Sequence, residues 1–405
     1  MARWAKVGYL RRLVEFGPHT VAHEVPHDGA AVCFHVLLHR VGDIIDPVAG
    51  AGELDALPEA LFGHMDQMHG LVAHLSAGEG GGAVAVEAVQ KGTHVHADDV
   101  ALLQLPGTGY AMDDFLVDRD TGGAGETAVA QEGSELLGFS VPELCFEPND
   151  RLDITEYTQA AMVTAGIAMM RVLEEKGIHP DVTAGLSLGE YCALAAAGVM
   201  SDDDAIATVR QRGILMQEAV PAGVGAMAAI LALDAAVIEE VTASMEDVWI
   251  ANYNCPGQIV ISGRKEAVEE ACERLKAAGA KRAILLNVSG PFHSGMLTEA
   301  GEKLGQVLLQ TEIKSPQIPY VANVTAQYVT EAAPVKELLT RQVSSSVKWQ
   351  QSVETMLADG VDTFVEIGPG RTLTGFMRKI DRAARCFNVE KLEDIDKVAE
   401  ALKEA

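Results

Sequence analysis

The chain of 405 residues is 48% hydrophobic and carries a formal charge of −27 at pH 7. That is enough apolar material for two or three packed domains, and the wrong sign for nucleic acid or an anionic membrane surface as partner. No apolar run reaches the ~18 residues of a membrane span and no secretory signal pattern opens the chain.

The six cysteines, Cys33, Cys145, Cys192, Cys255, Cys272 and Cys386, have no metal-ligand spacing. Reduced thiols in a cytoplasmic protein, with no bound metal or cofactor, are the expectation. In chain order, residues 1–133 hold 10 of the 12 histidines and only two lysines and show no sustained period. His19, His23 and His27 have the i, i+4 spacing with which a helix can hold a metal.

From residue 134 the pattern becomes regular. Periodicity predicts helices over Tyr157–Lys176, Leu188–Ala197, Asp202–Ala219 and His293–Leu309, and strands over Val182–Ala184 and Thr363–Ile367. This is an α/β core over 134–222 and 290–390. Between its halves, 223–289 reads as strand Met227–Leu233, helix Asp234–Ser244, two strands within Trp249–Ser262, helix Lys265–Ala278 and strand Arg282–Val288. That β-α-β-β-α-β order is ferredoxin-like and predicts an inserted subdomain over one side of a cleft. Residues 391–405 read as an amphipathic C-terminal helix.

Chemistry concentrates where strand Val182–Ala184 gives way to the helix. Gly185-Leu-Ser-Leu-Gly-Glu-Tyr191 is a Gly-x-Ser-x-Gly elbow, which sets Ser187 on a tight turn with its hydroxyl exposed. The N–H of Leu188 and the positive end of the helix would then meet a developing oxyanion. A serine needs a base, and only His179 and His293 follow residue 133. His179 sits in a Gly-x-His-Pro turn, so His293 is the candidate. Arg212, on the helix after the elbow, reads by residue type alone as a solvated surface arginine.

Around both Ser187 and His293 the sequence resembles the malonyl-CoA:acyl carrier protein transacylases. The likeness runs from about Leu136 to the C-terminus, through Thr158-Gln-Ala-Ala161, the elbow, Arg210-Gln-Arg-Gly-Ile-Leu-Met-Gln-Glu-Ala-Val-Pro221, Gly290-Pro-Phe-His-Ser294 and Val365-Glu-Ile-Gly-Pro-Gly370. It implies a hydrolase-like core with a short parallel sheet, and ping-pong transfer of malonyl from coenzyme A to a carrier-protein thiol in fatty-acid synthesis. Ser187 is the implied nucleophile, His293 the base and Arg212 the grip on the malonyl carboxylate. The backbone carbonyl at Gln342 would orient His293, and Phe292 matches the malonyl-selective form. Leu186 stands where the family often has histidine. Acyl carrier protein is the implied partner and the chain is expected to act as a monomer; an acidic carrier would need a local basic patch, for which Lys281, Arg282, Arg378 and Lys379 are candidates, with solvated surface charge the favoured reading of any one of them.

The family's first strand ends in Phe-Pro-Gly-Gln-Gly, whose glutamine helps to hold the oxyanion, and this motif is not read in the chain. Read one base later, codons for Leu105-Pro-Gly-Thr-Gly-Tyr-Ala-Met-Asp113 can spell Phe-Pro-Gly-Gln-Gly-(Met or Thr)-Gln-Trp. Residues 1–133 are therefore expected to be partly out of frame, or disordered, with a genuine His-rich domain as the alternative. As printed, the chain would have a sheet one strand short and an oxyanion hole one donor short, which typically costs about 100- to 1000-fold in rate. A serine thioesterase or esterase, with Asp234 or Glu239 orienting the base, and an inactive carrier-binding paralogue are the competing functions.

Overall fold

The computed structural model describes residues 29–34, 72–75, 86–89, 124–288 and 290–403. His19, His23, His27 and the segment Leu105–Asp113 lie outside the described residues, and so does the frame of that segment. Three short strands come first: β1 (Gly29–Phe34), β2 (Val72–Leu75) and β3 (Val86–Val89). Then come α1 (Ala124–Leu137), α2 (Val141–Phe146), α3 (Thr155–Glu175), β4 (Val182–Gly185), α4 (Gly189–Ala196) and α5 (Asp202–Ala219).

A second group follows as β5 (Gly225–Leu231), α6 (Ala235–Ala243), β6 (Val248–Cys255), β7 (Gln258–Arg264), α7 (Lys265–Ala277) and β8 (Arg282–Leu285). The chain closes with α8 (Thr298–Gln310), β9 (Tyr320–Val321), β10 (Tyr328–Val329), α9 (Val335–Gln342), α10 (Trp349–Ala358), β11 (Val361–Ile367), α11 (Thr372–Ile380), β12 (Arg385–Val389) and α12 (Leu392–Lys403).

The mixed α/β architecture rests on two larger sheets, besides the antiparallel pair β2–β3. The larger has the order β10-β9-β4-β1-β11-β12 and is parallel apart from the β9–β10 pair. Its β4 is buried throughout, as a strand covered on both faces must be. The smaller sheet has the order β6-β7-β5-β8 and is antiparallel, with its own core under α6 and α7. α3 is apolar on nearly every side, which suits a helix enclosed by neighbours, and it packs against α1 and α5.

Four expectations need correction. β1 lies between β4 and β11, so the larger sheet is not one strand short. The uncharged run Gly-Ala-Ala-Val-Cys-Phe has the composition such a central slot admits. The core also begins before residue 134, because α1 starts at Ala124 and buries Val129 and Ala130. The helix expected from His293 starts at Thr298, after a 3₁₀ turn over Gly295–Leu297. His293 is left-handed and Ser294 extended there, and neither conformation continues a helix. The last strand of the insert ends at Leu285 rather than Val288, where its pairing with β5 stops.

Candidate active site

Between β4 and α4 the backbone folds back on itself so closely that a Cβ on Gly185 would lie 2.0 Å from the carbonyl of Gly189. Only glycine fits there. Two residues on, Ser187 has φ +53°, a left-handed conformation that costs a non-glycine residue roughly 1–3 kcal/mol. His293 is left-handed as well, with φ +57°.

Side-chain amides from distant elements hold the elbow in this state. Asn323, just after β9, accepts from the Ser187 N–H at 2.6 Å and donates to the Gly185 carbonyl at 2.6 Å. Gln342, at the end of α9, donates from Nε2 to the Ser187 carbonyl at 2.7 Å. The Gln342 side chain can be oriented only one way, since its Oε1 accepts from Arg212 Nη2 at 3.0 Å and its Nε2 also donates to Glu190 Oε2 at 2.7 Å.

Ser187 Oγ and His293 Nε2 are 2.6 Å apart, and His293 Nδ1 lies 2.8 Å from the Gln342 carbonyl. A carbonyl can only accept, so Nδ1 carries the proton and Nε2 is left to accept from Ser187. Burial, and next the charge of Arg212, push the His293 pKa down to about 3, against the backbone hydrogen bonds at Gln342 and Ser345. The imidazole is therefore neutral at physiological pH.

Arg212 is not a surface residue: it is 0% exposed. Its Nη1 donates to Gln159 Oε1 at 2.7 Å and its Nη2 reaches Ser187 Oγ at 3.2 Å, while Nε has no partner among the described residues. Burial pulls its pKa below the ordinary value, opposed by Tyr191 and Glu190. Glu190, 1% exposed, also accepts from the Asn323 backbone N–H at 3.4 Å, and burial pushes its pKa up to about 7.

Leu188 caps α4 in helical conformation, and Phe292 is buried in the main core beside His293. The structure thus gathers Ser187, His293, Arg212, Leu188 and Gln342 at one point. Asp234 and Glu239 are elsewhere, the first capping α6 through Ala236 N–H and the second accepting a hydrogen bond from the Tyr253 hydroxyl. Neither orients His293. Lys281, Arg378 and Lys379 are exposed and Arg282 is half-buried.

The family described as the acyl transferase domain matches this chain over residues 119–392. The chain belongs to this acyl transferase family. Its relatives include the malonyl CoA-acyl carrier protein transacylase of Bacillus subtilis (strain 168), 47% identical over 278 residues that cover 67% of this chain and 88% of the relative. An acyl carrier protein S-malonyltransferase from Vibrio cholerae is 41% identical, with a TM-score of 0.66 over 67% of this chain and 90% of its own. A malonyl-transacylase solved in complex with a type II PKS acyl-carrier protein is 40% identical, with a TM-score of 0.66 over 68% and 90%.

Three members of this hydrogen-bonded cluster escape sequence reasoning: Asn323, Glu190 and Gln159. Glu190 had a usable signal, because it is the only charged residue between Val182 and Met200. Gln159 is a polar break in the apolar face of α3. Asn323, in a loop, has no local signature.

Proposed function

We infer that this chain transfers a malonyl group from coenzyme A, through an ester on Ser187, to the phosphopantetheine thiol of an acyl carrier protein. One observation carries the reading: a buried guanidinium stands 3.2 Å from the hydroxyl that His293 is placed to deprotonate. A cation there selects for an acyl group that ends in an anion.

In this mechanism His293 Nε2 takes the Ser187 proton as Oγ attacks the thioester carbonyl. The oxyanion develops next to the Leu188 N–H and the N-terminus of α4. Collapse of the intermediate expels the coenzyme thiol, which takes the proton from His293. The carrier thiol then runs the same steps in reverse order. General-base assistance of this kind is worth about 100- to 10,000-fold.

The His293 pKa of about 3 makes a weak base in the empty site. A malonyl carboxylate beside Arg212 offsets one of the two causes of that depression, so substrate itself raises the basicity of His293. Phe292 shapes the acyl pocket in this reading. The basic residues of α11 and β8 face an acidic carrier, which fits the carrier complex of the relative described above. The sheet order β6-β7-β5-β8 supports a ferredoxin-like insert, and the β4-elbow-α4 unit supports a hydrolase-like core. The chemistry asks for no cofactor, and a cytoplasmic monomer with reduced cysteines fits it.

A thioesterase reading is disfavoured because a carbonyl orients His293 where that class uses a carboxylate. The test is intact mass after incubation with malonyl-CoA. The chain should gain one malonyl group, Ser187→Ala should gain none, and a holo-carrier protein should discharge the label. Rapid loss of label to water would overturn transfer in favour of hydrolysis.

A further inference from the structure

The mechanism above uses Ser187, His293 and Arg212 but leaves Glu190 without a task. This carboxylate is fully enclosed three residues after the nucleophile. Its Oε2 takes the Gln342 amide at 2.7 Å, and both its oxygens face the Asn323 N–H at 3.4 Å. Those two residues are the ones that hold the Ser187 backbone. Gln342 further supplies the carbonyl for His293 Nδ1 and the amide oxygen for Arg212. The Ser187 backbone, the Nδ1 side of His293 and one arm of Arg212 are thus each held by a residue bonded to Glu190, while Gln159 holds the other arm of Arg212.

Charge adds a second layer. Among the described residues the enclosed site holds one cation, Arg212 on α5, and one anion, Glu190 on α4, separated by the single amide of Gln342. The other titratable groups near Glu190 are His293 beyond β8, Tyr191 on α4 and Tyr320 on β9. His293 is neutral above about pH 3, and burial drives both phenols above their ordinary range. A substrate carboxylate would bring a second anion to the same guanidinium, and an anion without its own cation in a buried site is costly.

We propose that Glu190 is a positioning residue for acyl transfer, and that its carboxylate competes with the malonyl carboxylate for the charge of Arg212, so that malonyl loading is coupled to uptake of a proton by Glu190. This rests on the malonyl-transfer reading. The balance is simple: Ser187 gives its proton to the departing coenzyme thiol, and Glu190 takes one further proton from solvent. Because burial places the Glu190 pKa at about 7, the competition falls inside the physiological window. Protonated Glu190 favours malonyl, so loading weakens as pH rises.

The test is the pH profile of Ser187 loading from pH 6 to 8.5 for the full chain and for Glu190→Gln. With malonyl-CoA, the wild-type kcat/KM should fall about tenfold, the equivalent of one unit of pKa coupling, with the change in KM rather than kcat. Glu190→Gln keeps an acceptor for Gln342 but has no charge, so its profile should be flat. Acetyl-CoA brings no carboxylate and should show no such fall with either protein.

A second measurement needs no variant. In weak buffer at pH 7, where an ordinary thiol stays protonated, wild-type loading should take up about half a proton per malonyl group. An unchanged fall in Glu190→Gln, or loading without proton uptake in the wild type, overturns the inference alone. Absence of any malonyl-Ser187 in the wild type overturns the transfer reading and this inference with it.

Discussion

In the inserted sheet, the groups that fix the backbone lie beside what they hold. Asp234 Oδ1 takes the N–H of Ala236 at 2.9 Å, two residues on, and starts α6. At the elbow, Ser187 is held by Asn323 and Gln342, 136 and 155 residues further along the chain. The insert can therefore define its elements from neighbouring sequence. The left-handed serine of the elbow has its hydrogen-bond partners just after β9 and at the end of α9. Strain at Ser187 is supported by tertiary contacts, whereas the start of α6 is held by a contact two residues away.

The sharpest way to break this contrast is Asn323→Ala. It leaves the Ser187 N–H and the Gly185 carbonyl without their partner in a buried turn, at about 1–3 kcal/mol for each unsatisfied group. Chemical denaturation should show a loss of that size, and malonyl loading should fall by more than the residual folded fraction explains. A loss of stability with unchanged loading would mean that the elbow keeps its shape without the clamp.

Glu366 sharpens the comparison, because it does in the core what Asp234 does in the insert. Its carboxylate takes the N–H groups of Leu373 and Thr374 at 2.9 and 2.8 Å, at the start of α11. Burial pushes its pKa up to about 7 from 4.5. A carboxyl whose folded pKa is raised contributes stability below about pH 4.5 and loses it as pH climbs through 7. Glu366→Gln should cancel that share, so the stability difference from wild type should change by on the order of 3 kcal/mol between pH 4.5 and 8. A difference that stays constant with pH would mean that Glu366 is ionised at no cost.

The smallest effect belongs to the exposed cap. Asp234→Ala should cost about 1 kcal/mol and leave malonyl loading untouched, as expected for the loss of one N-cap. Reduced loading in that variant would show that the insert transmits even minor damage to the site.

Sequence pattern exposed the local part of the molecule well. The ends of α5 matched their apolar period, and the alternation of the insert revealed its six elements. The elbow motif marked Ser187, and the scarcity of histidine after residue 133 left His293 as the candidate base, which the structure places 2.6 Å from the Ser187 hydroxyl. Arg212 could not be told from a surface arginine until α3 and α9 were seen to enclose it. Asn323 stayed hidden because its partners, Ser187 and Gly185, are near only in space. The start of α8 was placed five residues early because apolar spacing carries no sign of a left-handed His293. β1 was missed because its six uncharged residues show no polar–apolar alternation to read.

The insert is laced to the core next to the site. Tyr253 N–H of β6 donates to the Val347 carbonyl at 2.9 Å, Val347 N–H donates back to the Ala251 carbonyl at 2.8 Å, and Lys348 N–H donates to the Asn323 carbonyl at 2.9 Å. Val347 lies five residues beyond Gln342, and His293 follows the insert's last strand. A swing of the insert that admits the long arm of a carrier would therefore tug on Gln342, Asn323 and His293 in one motion. An open cleft would then be a disarmed one: water could enter, but it would find the ester without an aligned base. Waste of the activated acyl group would be limited by timing, since the geometry that lets solvent in is the geometry that cannot use it.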